Sequence, residues 1–110
     1  MSKNTKRSGF ARIIIYPYQR WHIAVCLDFN IIEEDEDREE LEKSIKEAVY
    51  GYIETIRKCN VDNVLLNRPA DKKYWKMYES YVDMLKNKAQ KPLSHTLKKM
   101  SLIVIPISAI

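Results

Sequence analysis

From Trp21 to Phe29 the side chains alternate. Trp21, Ile23, Val25, Leu27 and Phe29 fall on one face of an extended chain, and His22, Ala24, Cys26 and Asp28 on the other. That period of two predicts a strand. Residues 10–16, just before it, are rich in β-branched side chains, with Ile13, Ile14 and Ile15 in a row, and predict another. Residues 16–20 connect the two, and Pro17 is expected to end ladder pairing there. Strands this close pair as an antiparallel hairpin. Asn30 begins a bend, and Ile31-Ile32 predicts the start of a third short strand ahead of an acidic turn.

The period then changes to that of a helix. Leu41, Ile45, Ala48, Val49, Tyr52, Ile53 and Ile56 lie on one stripe, with Lys43, Lys46, Glu47, Glu54 and Arg57 off it. Asp37 is the expected N-cap, with Glu40 as the reciprocal member of a capping box, and Cys59-Asn60 the expected end. Gly51 costs this helix about 1 kcal/mol relative to Ala, a loss that a close approach to the sheet would explain. Residues 61–70 form a connection in which Val64, Leu65 and Leu66 make a brief strand or an apolar anchor. Asp71 caps a second helix, residues 72 to about 88, with the stripe Tyr74, Met77, Tyr78, Tyr81, Val82 and Leu85 and Trp75 at its flank. That aromatic stripe fits equally a face packed on its own sheet and a partner surface. Residues 89–99 are basic and irregular, broken by Pro92, and 100–105 form a strand-like run closed by Pro106 and suited to a sheet edge.

These elements predict an α+β fold, a small antiparallel sheet packed against a long amphipathic helix, followed by a second helix and a strand-like tail. The expected organisation is a mobile basic arm over 1–9, a ββ(β)α core over 10–60, a connection and second helix over 61–88, and a basic linker with a C-terminal strand over 89–110. The core is expected to bury Ile23, Val25, Leu27, Leu41, Ile45, Val49 and Ile53 against one another. A chain of 110 residues suits one such domain.

Charge changes the picture by its distribution. The chain holds 19 basic and 15 acidic residues, for a net +4. Glu33, Glu34, Asp35, Glu36, Asp37, Glu39, Glu40 and Glu42 crowd one short stretch, opposed only by Arg38. Lysines and arginines gather toward both ends, which leaves nucleic acid open as a partner although no base-reading motif is present. Asp37, Glu39 and Glu40 suit the start of a helix. Glu33, Glu34, Asp35 and Glu36 precede the cap, and are the expected docking patch for a basic protein partner.

The chemistry-bearing residues do not converge. His22 and Cys26 share a strand face but stand about 13 Å apart, too far for one metal or a catalytic dyad, and Asp28 is farther again. The acidic run lacks the glycine of a calcium loop, and there is no phosphate-binding glycine loop. Cys26 and Cys59 are expected as packed or free thiols. No catalytic residue, cofactor or metal site is expected. No apolar signal core follows the basic N-terminus, and the longest apolar run falls short of the roughly 20 residues of a membrane span. The expectation is a cytoplasmic protein without membrane contact.

The strand and helix together resemble a known pattern. Ile23-Ala24 and Cys26-Leu27-Asp28 in the strand, Asp37, Glu39, Glu40 and Leu41 at the helix start, and Ile45, Glu47, Ala48, Tyr52 and Ile53 in its body resemble the HicB-like antitoxin domain over about residues 10–57. The family's glycine before the helix is replaced here by Asp35-Glu36, and residues from Val61 onward do not resemble its DNA-binding extensions. The resemblance implies a partial ribonuclease-H-like β-β-β-α-β fold without that enzyme's acids. It also implies a function of binding and neutralising a small basic mRNA-cleaving toxin. Homo-oligomers through a sheet edge or the aromatic helix face are a further expectation.

Overall fold

The computed structural model describes residues 3–87 and 95–110, with only the backbone of His95. Four strands form one antiparallel sheet in the order β3-β2-β1-β4. They are β1 (Phe10–Tyr18), β2 (Trp21–Cys26), β3 (Ile31–Asp35) and β4 (Ser101–Pro106). Helix α1 (Arg38–Lys58) covers one face, and α2 (Lys72–Lys86) with the single turn α3 (His95–Lys98) covers the other. The fold class is therefore the expected α+β. Pro92 and the lysines at 88 and 91 lie outside the described residues.

β1 runs further than its sequence suggests. Pro17 pairs with His22 and Tyr18 with Trp21, so the hairpin closes over Gln19 and Arg20 alone, with Gln19 in the left-handed region. Pro17 does not end the ladder because β1–β4 pairing stops at Ile15 and Ser101. A proline is tolerated where its missing N–H faces no neighbour. β2 is shorter than expected. At Leu27 the chain turns, with Asn30 N–H bonded to Cys26 O and Asn30 at φ 57°. The turn swings Phe29 to the α1 side, where it stacks on Tyr52 at 5.1 Å.

Both faces of the sheet are buried. Ala11, Ile13, Ile15, Ala24 and Cys26 face α1, together with Leu41, Ile45, Val49, Ile53 and Ile56 of that helix. Ile14, Val25 and Leu27 face α2 and α3. The expected core thus splits. Val25 and Leu27 are buried, but on the face away from α1, and Ile23 beside them is only half-buried.

α1 begins where its cap predicts, Asp37 accepting from the N–H groups of Glu39 and Glu40. The reciprocal bond goes elsewhere: Asp37 N–H donates to Asp35 Oδ1 at 2.8 Å rather than to Glu40. Asn60 takes the left-handed conformation that ends the helix. Gly51 does not serve a close approach, since a Cβ there would meet nothing within 4 Å. Val64 to Leu66 form part of a 3-10 turn that anchors fully buried Leu66. α2 is capped by Asp71 as expected, but its stripe is rotated: Met84 packs inward while Leu85 is exposed.

Residues 3–9 lie against the fold rather than apart from it. Asn4 is buried, donating to Phe10 O and Leu66 O and accepting from Phe10 N–H. Arg57 on α1 donates to Lys6 O, Ile107 O and Ile110 O, holding both ends of the chain at one guanidinium.

Candidate protein-interaction surface

The acidic stretch begins in a strand. Glu33, Glu34 and Asp35 belong to β3 and pair with Ala24, Ile23 and His22 of β2. Charged side chains on an edge strand hinder uncontrolled pairing with other chains. Period two then divides the expected patch between the two faces. Glu33 and Asp35 turn toward α1 and are half-buried. Glu33 accepts from Ser44 Oγ at 2.6 Å, and Asp35 accepts the Asp37 N–H. Glu34 points to the opposite face, exposed beside Ile32. Glu36 follows the strand, exposed, with Arg20 Nε at 3.3 Å, an open ion pair of the kind that contributes little to stability. The four acids therefore act differently. Two support the strand and the helix cap, and two project into solvent.

Which backbone groups the edges offer follows from hydrogen-bond parity. Leu27 N–H donates to Arg12 O, so Arg12 and Leu27 form a hydrogen-bonded pair and bonded pairs alternate from there. Carried across β2, the alternation turns the backbone of Ile31, Glu33 and Asp35 inward and that of Ile32 and Glu34 outward. Ile107 N–H donates to Gly9 O, which by the same alternation turns Ser101, Ile103 and Ile105 toward β1 and Leu102 and Val104 outward. Pro106, with no N–H to give, falls on an outward position. Each edge thus presents two residues with free N–H and C=O directions, and the edges differ in charge.

A second polar constellation lies on the α2 face. Asp28 accepts from Arg12 N–H at 2.8 Å, from Arg12 Nε at 3.2 Å and from Arg12 Nη2 at 2.7 Å. The Arg12 guanidinium lies 4.8 Å from the Trp75 ring centroid and 5.7 Å from that of Tyr78. The hydrogen bond to Asp28 raises the arginine pKa further above its already high value. A hollow of about 290 Å³ opens beside the pair, lined by Lys3, Asn67, Pro69 and Trp75 among others. Trp75 Nε1 is buried and finds no partner among the described residues. Because Arg12 engages both carboxylate oxygens, the pair ties α2 to the hairpin and leaves little charge for a ligand. The sequence reading missed it by placing Asp28 with His22 and Cys26. A two-residue hairpin loop sets Arg12 opposite Leu27, and that register was the signal that leads to Asp28.

Of the other expected chemistry, His22 Nδ1 lies 3.2 Å from Glu36 O at the rim. Cys26 is fully buried against α1, where burial pushes its thiol pKa up to about 12. Asp28 has left their face altogether. Among the described residues no group of three or more His, Cys, Asp or Glu could hold a metal ion, and no helix is long and apolar enough to cross a membrane. No family model, no curated protein and no solved structure matches the chain.

Proposed function

We propose that this chain is a non-enzymatic protein-interaction module, resembling a HicB-like antitoxin, that receives a small basic protein at its β3 edge. The observation that carries the reading is the outward pair Ile32 and Glu34. There, open backbone groups coincide with an exposed carboxylate, and exposed Glu36 follows two residues along the chain. An extended segment of a partner adds to such an edge through its main chain, and basic side chains on it supply selectivity and speed. Glu33 and Asp35 serve the surface indirectly by fixing the strand and the start of α1.

The test is co-expression with the product of the neighbouring reading frame, followed by association kinetics at low and high salt. The expected result is a small basic partner whose association slows with salt, and slows at low salt when Glu34 and Glu36 are both changed to Gln. Association indifferent to salt and to those substitutions removes the acidic edge from the reading. RNA cleavage by the partner, suppressed on mixing, distinguishes an antitoxin from a binding module of another kind.

A further inference from the structure

The opposite edge of the sheet has another character. From Ser101 to Ile110 the chain carries no charged side chain, in a sequence where 31% of residues are charged. Leu102, Ile103 and Val104 stand on this edge half-buried or exposed, and among the described residues no strand lies beyond it. An uncharged apolar edge with open backbone groups is a template for another strand. On the α2 side the apolar surface continues inward from the edge. Phe10 is 53% and Val104 46% exposed, and with Tyr78 and Arg12 they border a hollow of about 530 Å³.

We propose that β4 pairs antiparallel with β4 of a second copy about a two-fold axis at Ile103, joining two sheets into one. Three observations select a second copy as the occupant. The first is register. With Ile103 against Ile103, Leu102 of each copy stands opposite Val104 of the other. These are the two outward-facing residues that carry an N–H, so their N–H and C=O groups bond reciprocally and no outward N–H of the strand is left open. Moving the axis to Val104 sets Leu102 against Pro106, which has no N–H to give. The second observation is side-chain fit: the same register sets Leu102 of each copy beside exposed Val104 of the other, on the α2 side of the joined sheet. The third is charge. The equivalent axis on β3 sets Glu33 against Glu33, a like-charge pair at close range. On β4 the central pair is Ile103 with Ile103, and Lys98 and Lys99 of one copy run toward the uncharged 3-10 turn Ile107–Ala109 of the other. Pairing β3 of one copy with β4 of the next would leave an edge open at each step and grow without closing, whereas the two-fold closes. The inference stands apart from the β3 reading, because the dimer leaves both acidic edges free at its outer ends.

The experiment is sedimentation velocity across a dilution series, with amide hydrogen exchange on the same samples. The expected result is a monomer–dimer equilibrium. The amides of Leu102 and Val104 should exchange slowly in the dimer and fast on dilution, while those of Ile103 and Ile105, bonded to β1, stay protected throughout. Val104→Pro removes an outward N–H without touching the inner ladder and should weaken the dimer at least about tenfold. Val104→Lys, which needs no backbone adjustment, should do the same by setting charges into the apolar patch. Glu34→Pro, at the other edge, should leave the dimer intact. A chain monomeric at every concentration, a dimer that survives both Val104 variants, or growth into open-ended assemblies each overturns the proposal.

Discussion

The two faces of the sheet are covered by different means. α1 buries five side chains almost completely: Leu41, Ile45, Val49, Ile53 and Ile56. α2 buries none to that degree, although the strand residues beneath it, Ile14, Val25 and Leu27, are fully buried. The cause lies in side-chain size. Under α1 the sheet presents Ala11, Ala24 and Cys26 beside its isoleucines, and the helix answers with aliphatic residues, so the two layers close tightly. On the other face Tyr74, Trp75, Tyr78 and Tyr81 do the covering, with Met77 and Met84 between them. Large rings hold the helix off the sheet and leave this layer half-buried. That layer is fastened by the Arg12–Asp28 pair and its ring contacts as much as by packing. One sheet thus carries a close-packed core on one face and a looser aromatic layer on the other.

Thiol labelling should break the comparison most widely. Cys26 lies in the tight layer and Cys59 in solvent. Cys26 should react only through global opening, at least about a thousandfold slower than Cys59, given the usual stability of small domains. Comparable rates, read by mass spectrometry, would show that the α1 layer opens locally. The Cys26 pKa, raised by burial from 9.0 to about 12, gives the pH direction. The folded state keeps this proton and the unfolded state releases it. Stability from this group is complete below pH 9.0 and falls as pH climbs toward about 12, which a denaturant titration series can follow.

Next in size is a pair of truncations. Ile45→Ala under α1 should destabilise by about 2–5 kcal/mol, the range for a buried aliphatic side chain. Tyr81→Ala under α2 should lose roughly half of what a fully buried ring loses, about 2 kcal/mol, since water already reaches it. Chemical denaturation of both variants measures the contrast, and equal losses would erase the distinction between the layers. The smallest effect has the opposite sign. Gly51 sits on the open side of α1 with free space around it, so Gly51→Ala should stabilise by about 0.5–1 kcal/mol. A lower melting temperature would mean that this side of α1 is covered after all.

α1 was readable from sequence because its cap, stripe and terminator all agree. β2 was readable as a strand, but the side it turns to the long helix was not. Hydrophobicity marks Ile23, Val25 and Leu27 as the inward set. When both faces are covered, alternation no longer tells inside from outside, and small Ala24 and Cys26 take the place nearest the helix. The acidic run looked like a turn because charges are scarce in strands. Ser44 and the Asp37 N–H give Glu33 and Asp35 partners, and an edge position keeps Glu34 in water, so the ladder continues through them. The Arg12–Asp28 pair is legible only through the hairpin register that sets Arg12 opposite Leu27, and not in the pattern of either strand alone.

The pairing of Ile13 with Ile103 spans about 90 residues of chain. Contacts so distant in sequence form late, because a large loop must close before they are rewarded. β1, β2, β3 and α1 are by contrast local neighbours and can assemble early. Until β4 docks, the uncharged stretch Ile13 to Ile15 is itself a bare strand edge. During synthesis β4 emerges after the other three strands of this sheet, so every nascent molecule passes through that interval, and crowding at this stage favours aggregation over completion of the sheet.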